Sequence, residues 1–181
     1  RAPVLERLRG LSRRRELVSV MLLLLLCWSP YLIAYYPGTV CWDLGEMAAQ
    51  FFGMRELDTW HPVFLTWIFG GCVSLGRLFH SDNLGAALFT LLQTAALCYA
   101  LARAVGFLQR CGLRLGARMA ALCFFALAPI WGGYAQFISK DTPYTSALLL
   151  FFLSAAGCCC AARTARTRPK ARWPGCSAMA C

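Results

Sequence analysis

The sequence predicts an all-α protein of polytopic transmembrane helices, and three observations support this class. Of its 181 residues, 59% are hydrophobic and only 14% are charged, whereas a soluble domain has about 25% charged residues. The apolar residues form several segments of about 20 residues, the length that crosses a hydrocarbon core of ~30 Å. The charges cluster between these segments, as expected where each segment is surrounded by lipid.

The net charge of +10 is distributed over the flanks of the apolar segments and does not line one soluble face. Basic residues in that arrangement favour one side of a membrane. We therefore expect the lipid bilayer, and no nucleic acid, as their partner.

The first apolar segment, 17–36, follows a basic N-terminus. Residues 1–16 carry six arginines against two glutamates, which predicts a cytoplasmic start. Aromatic residues crowd the far half of the segment, where an aromatic belt would mark the opposite interface. No small-residue cleavage site follows, so we expect an anchor and not a signal peptide.

Three further segments are long enough to span a membrane: 84–101, 119–138 with a break at Pro129, and 143–162. Together with the first they form a predicted transmembrane module over 17–162. Its first outer loop covers 37–83 and includes a short helix over 43–52. The tail, 163–181, carries five basic residues and two prolines without an apolar period, which predicts disorder.

The positive-inside rule decides how a shorter apolar segment, 63–79, is placed. If this segment crossed, the basic loop 103–118 and the tail would lie outside. If it lies along the outer interface, the N-terminus, that loop and the tail are all cytoplasmic, and the acidic loop is outside. Its glycines and short length also fit a helix that lies on a membrane. We therefore expect about four spans plus one interfacial outer helix, with both termini on the cytoplasmic side of the cell (plasma) membrane.

The first outer loop gathers four candidate functional residues: Asp43, Glu46, Asp58 and His61. Asp43 stands among aromatic and aliphatic neighbours at the end of the first span. Desolvation at such a rim favours the protonated form of a carboxyl group, which suits a general base. The simpler interpretation is that these acids are solvated loop charges.

Lys140 and Asp141 join two predicted spans on the same outer side. One interpretation is an interfacial ion pair at a helix start, since Thr142-Pro143 suits an N-cap and first helical position. In the functional interpretation the pair meets the first outer loop and binds a phosphate-bearing head group, directly or through a divalent metal held by Asp141. Three glutamines in apolar surroundings predict hydrogen bonds between helices: Gln93, Gln109 and Gln136.

Four short motifs follow one another in a familiar order: Tyr36-Pro37-Gly38-Thr39-Val40, then Trp42-Asp43, then Trp60-His61-Pro62-Val63-Phe64-Leu65, and finally Lys140-Asp141-Thr142-Pro143. This pattern resembles the N-terminal third of GT-C-type membrane glycosyltransferases, and in particular an uncharacterised bacterial membrane family within that superfamily. Protein O-mannosyltransferases and lipid A aminoarabinose transferases have a similar layout. The resemblance covers roughly residues 17–155.

The resemblance implies an integral membrane enzyme that transfers a sugar from a polyprenyl-phosphate donor to a cell-envelope acceptor, with inversion, on the extracytoplasmic side. It places the catalytic acid at Asp43 and the acid of the second loop at Asp141, which also becomes the candidate metal ligand. His61, Lys140 and Asp141 would bind the donor phosphate.

The chain departs from the GT-C pattern in two respects. Its first loop has a single acid at the motif, in Trp42-Asp43-Leu44, and whole GT-C enzymes have many more spans. We therefore expect an N-terminal fragment that is inactive alone, with the missing C-terminal portion of the same enzyme as its partner.

A non-enzymatic multi-pass membrane protein is the alternative, either a structural subunit or a small transporter. The predicted spans contain no Asp, Glu, Lys or Arg in their interiors. This favours a structural subunit over a coupled transporter, whose pathway would carry ionisable groups.

Overall fold

The computed structural model describes residues 2–58, 60 and 62–167, with side chains from 13 to 159 within those ranges. Within this part the chain forms seven helices and one pair of two-residue strands. In chain order they are α1 (Ala2–Ala34), β1 (Thr39–Val40), α2 (Trp42–Phe51), α3 (Val63–Arg77), α4 (Asp82–Arg110), α5 (Leu115–Leu127), α6 (Pro129–Gln136), β2 (Phe137–Ile138) and α7 (Asp141–Thr167).

The helical class predicted from the sequence is confirmed, and so is the presence of helices that are long and apolar enough to cross a membrane. Three such segments are Arg13–Ala34, Asp82–Arg110 and Asp141–Cys159. Helices α5 and α6 make a fourth when taken as one span bent by 50°. The bend lies at the predicted break, because Pro129 lacks an N–H and Ala128 before it adopts an extended backbone.

Helix α4 forms the centre of the bundle. It packs against α1, α3, α5, α6 and α7, and 61% of its apolar window is buried, compared with 11% for the windows of α1 and α7. One buried cluster joins α4 to α1 and α5, through Leu24, Trp28, Leu97, Cys98, Leu101, Leu122 and Ala126. A second joins it to α2, α3 and β2, through Met47, Phe69, Val73, Ala86, Phe89 and Ile138.

Helices α3 and α4 form a hairpin of unusually close backbones. A Cβ at Gly76 would lie 2.3 Å from Gly85 N, and a Cβ at Gly85 would lie 2.5 Å from Val73 Cα. One turn further along, the rings of Phe69 and Phe89 meet edge to face at 5.3 Å. Helix α3 therefore runs along the first two turns of α4.

The contacts at the two ends of the bundle assign each loop to one end. At the end that we call the basic end, Arg118 of α5 pairs with Glu16 of α1 and also donates to Gln109 of α4, at 3.1 Å. At the opposite end, which we call the loop end, β1 pairs with β2. Loop 111–114 thus lies at the same end as the arginine-rich start of the first span, as the predicted topology requires.

Several boundaries differ from the sequence prediction. Helix α1 begins within the basic N-terminus, at Ala2, and α7 continues past Arg163 to Thr167, into the segment predicted to be disordered. The helix continues there because alanines and arginines are good helix formers. Residues 168–181, the rest of the predicted tail, lie outside the described residues.

Candidate functional site

The strand pair joins the two loops in which the sequence predicts functional residues. Thr39 pairs with Phe137 and Val40 with Ile138 in parallel register, and the Cys41 thiol donates to the Ile138 carbonyl at 2.9 Å. Gly38 precedes this link with φ +134°, and a Cβ there would lie 2.4 Å from Thr90 Oγ1. A glycine is therefore required on both conformational and steric grounds.

Three polar side chains of α4 donate hydrogen bonds to the backbone of both loops. Thr90 donates to the Pro37 carbonyl at 2.9 Å. Gln93 Nε2 donates to the carbonyls of Ala135 and Phe137, both at 2.9 Å, and Thr94 donates to the Ala135 carbonyl at 3.1 Å. Because all three side chains are buried, these bonds fix the position of β1 and β2 on the central helix.

The predicted hydrogen bonds of the three glutamines are confirmed for two of them. Gln93 binds the end of α6 and β2, and Gln109 accepts from Arg118 of α5. Gln136 is 1% exposed, and neither atom of its amide finds a partner among the described residues.

Asp43 and Asp141 each lie in the first turn of a helix that starts at the strand pair. Asp43 is the second residue of α2 and half-buried, whereas Asp141 is the first residue of α7 and exposed. The positive end of a helix dipole favours a carboxylate at both positions. Within the described part of the chain neither carboxylate has a hydrogen-bond or salt-bridge partner.

Two other acids of the outer segment are engaged in ion pairs. Glu46 of α2 pairs with Arg55, which lies in the turn after this helix. The ion pair links that turn to α2. Asp82 accepts from Arg77 at 2.7 Å across the α3–α4 turn, and this hydrogen bond raises the pKa of Arg77. The structure thus separates Asp43 and Asp141 from carboxylates that have structural partners.

Lys140 brings a third segment of chain to the same place. Its exposed ammonium group donates to the Trp60 carbonyl at 3.3 Å and lies 5.2 Å from the centre of the Trp60 ring. The segment before α3 is therefore held at the start of α7. Asp58 accepts from the Trp60 N–H at 3.1 Å, as in a turn. His61 lies outside the described residues, so its predicted contact with the donor phosphate stays a prediction.

Exposed aromatic side chains belong to the same part of the chain, at the start of α2, before α3 and in the first two turns of α3. We call the set Trp42, Trp60, Phe64 and Trp67 the aromatic rim; its members are 81%, 75%, 73% and 60% exposed. Phe51 supports the rim from α2: it meets Trp67 edge to face at 5.4 Å and covers Gly70, where a Cβ would lie 2.0 Å from its ring.

A metal has few ligands in this arrangement. Among the described residues no three His, Cys, Asp or Glu side chains lie together as a metal site requires. Asp141 therefore remains a single candidate ligand.

Residues 53–178, more than two thirds of the chain, match the model of a family of unknown function, DUF6020. Neither a curated protein nor a solved structure matches the chain significantly. The matched range starts just after α2, so it includes Lys140 and Asp141 but not Asp43. It also includes most of the predicted tail, 163–181.

Proposed function

We propose that the chain, which belongs to the DUF6020 family of unknown function, is an integral membrane protein whose loop end forms a glycosyl-transfer site of the GT-C type. The observation that carries this proposal is the strand pair. It holds together two helix starts, each with a carboxylate that has no partner among the described residues, and Lys140 stands beside the second of them.

The proposed position in the membrane follows from the distance along α4 between its contacts at the loop end and those at the basic end. From Thr90, which holds the first loop, to Gln109, which binds Arg118, the helix rises about 28 Å. This is close to the ~30 Å of a hydrocarbon core. Helices α1, α4, α5–α6 and α7 are then the four spans, and the first two turns of α4 extend beyond the core.

Helix α3 is the interfacial outer helix of this arrangement. It has 15 residues, about 22 Å of rise, which is short for a span. It packs along the part of α4 that extends beyond the core, and exposed aromatic residues of its first two turns suit an interface. The arginines of the basic end favour the cytoplasmic side. In this proposal the loop end therefore faces the extracytoplasmic side of the cell (plasma) membrane.

In the proposed reaction Asp43 is the general base. An acceptor hydroxyl attacks the anomeric carbon of a sugar linked to polyprenyl phosphate, and Asp43 takes the hydroxyl proton as the new C–O bond forms. The bond from the anomeric carbon to the phosphate oxygen breaks on the opposite face, so the configuration inverts and the polyprenyl phosphate leaves with the bonding pair.

Lys140 supports the leaving group in this scheme. The positive charge of its ammonium group would attract the negative charge of a phosphate at the loop end. Its present partner is a neutral carbonyl, so a phosphate is a stronger competitor for the same donor. Asp141 would orient Lys140 or the donor from the start of α7, and His61 would contact the donor phosphate.

The decisive experiment compares two carboxylate-to-amide variants of the same loop. Asp43→Asn should reduce transfer from a radiolabelled polyprenyl-phosphate sugar in membranes by ~10²–10⁴-fold, the usual contribution of a general base. Glu46→Gln removes the same charge but only disrupts an ion pair with Arg55 on the surface, so its activity should stay near that of the parent.

Two results would contradict the proposal. Normal transfer by Asp43→Asn would remove Asp43 as the base. If the parent membranes transferred no sugar, alone or with the rest of a longer chain, a non-enzymatic multi-pass protein would replace the enzyme.

A further inference from the structure

The basic end gathers four arginines from three helices, and we call them the arginine cluster: Arg13, Arg103, Arg110 and Arg118. Arg13 of α1 and Arg103 of α4 lie close enough to Arg110 for their charges to act on it. Arg118 joins from the first turn of α5 through its bond to Gln109. The cluster is therefore a product of the packed bundle and not of one basic stretch of sequence.

The described side chains at this end supply too little negative charge for the cluster. Glu16 is occupied by Arg118, and the Nε of Arg118 is buried without a partner among the described residues. The remaining described carboxylates lie at the loop end or at the α3–α4 turn: Asp43, Glu46, Glu56, Asp58, Asp82 and Asp141. Like charges held together in this way are stabilised by an added anion.

The depth of Arg103 indicates which kind of anion this is. Arg103 lies two turns before Arg110 on the same face of α4. It is therefore about 10 Å further into the proposed hydrocarbon core. It is half-buried, and its guanidinium donates to the Tyr99 hydroxyl at 2.9 Å and lies 5.7 Å from the ring centre. A charge at such a depth is costly unless its side chain reaches an anion at the interface.

We propose that the arginine cluster binds the phosphate head group of an anionic phospholipid in the cytoplasmic leaflet. Guanidinium groups pair with phosphate oxygens through two parallel N–H bonds, and basic pockets between helices are a recurrent setting for such lipids. The acyl chains would lie against the apolar surfaces of α1 and α4. This inference rests on the membrane insertion in the proposed function, and it is independent of glycosyl transfer.

Titration of the full chain in micelles tests the site, with bound lipid counted by native mass spectrometry. Phosphatidylglycerol should bind more tightly than phosphatidylcholine. Each arginine contributes about fivefold to the affinity. The double variant Arg103→Gln/Arg110→Gln should therefore weaken phosphatidylglycerol binding about 25-fold. The matched control, Arg55→Gln/Arg77→Gln, removes the same charge from the other end and should leave the affinity unchanged.

Each other outcome counts against the proposal. Equal binding of the two lipids would overturn it, as would an equal loss in both double variants. Displacement of phosphatidylglycerol by inorganic phosphate at millimolar concentration would show a site for free phosphate. If the double variant does not fold, Arg110→Gln alone changes an exposed side chain and should still lower the affinity about fivefold.

Carbonate extraction separates this inference from its premise. A chain that is extracted from membranes would refute the proposed insertion. A chain that remains in membranes without a lipid preference would refute only the lipid site.

Discussion

The close approach of α3 and α4 predicts different effects on stability for the same substitution at two glycines of α4, Gly85 and Gly106. In Gly85→Ala the new methyl group would lie 2.5 Å from Val73 Cα and 2.8 Å from Cys72 O. Both are backbone atoms, so the helices would have to separate by about 1 Å to reach normal contact, which forfeits a quarter to a half of the dispersion energy along their interface. Gly106 has no atom within 4 Å of the same position.

The two substitutions therefore share one helix-propensity gain and differ in packing. Alanine favours a helix over glycine by ~1 kcal/mol at either site, while overpacking at Gly85 costs ~1–3 kcal/mol. We expect Gly106→Ala to be as stable as the parent or more stable, and Gly85→Ala to be less stable than Gly106→Ala by ~1–3 kcal/mol. For a chain of this size that difference is about 2–12 °C in Tm.

Thermal denaturation of both purified variants in one detergent, followed by circular dichroism, measures this difference. Equal melting temperatures would show that α3 does not pack on α4 at backbone distance. The interfacial position of α3 would then lose its support, because it depends on this contact.

Three further predictions concern topology and the support of the site. A membrane-impermeant maleimide applied to intact cells should leave the exposed Cys111 unmodified until the cells are permeabilised. Labelling of Cys111 from outside would contradict the proposed orientation. A reporter inserted at Ser81 should lie outside the cell, and a cytoplasmic signal would indicate that α3 crosses as a fifth span. Gln93→Leu removes the two hydrogen bonds that Gln93 donates to the carbonyls of Ala135 and Phe137. This should lower the free energy of unfolding by ~1–2 kcal/mol in a thermal melt. An unchanged Tm would show that these bonds do not hold the loops.

The long apolar helices could be predicted from the sequence because a segment that crosses hydrocarbon needs a minimum length of apolar residues. The bend could be predicted because Pro129 cannot continue a helix. The strand pair could not. Thr39–Val40 is too short to show an alternating pattern, and its partner lies about a hundred residues away in the chain. The glycines of α3 suggested a helix lying on a membrane, whereas at Gly76 the structure shows the second reason for a small residue, a neighbouring backbone.

The candidate site was predictable to the level of its residue types. Asp43 and Asp141 stand out in sequence as acids beside apolar segments. Only the fold shows that neither carboxylate has a partner among the described residues. Glu46 looks equivalent to Asp43 in the sequence, and it is set apart by its pairing with Arg55, nine residues later. Such a pairing depends on how the loop turns back after α2, which composition does not specify.

The strand pair also determines when the site can form during synthesis. In the proposed topology, a chain that is inserted from its N-terminus exposes Thr39 at the loop end long before Phe137 is made. Closing the link requires α4 to return to the basic end of the bundle and the bent pair α5–α6 to lead back to the loop end. The strand pair is therefore a contact between residues that lie far apart in the sequence. Forming it carries the entropy cost of closing a very long loop. In the same topology, a shortened product that stops before α6 would insert its first helices and still lack the strand pair.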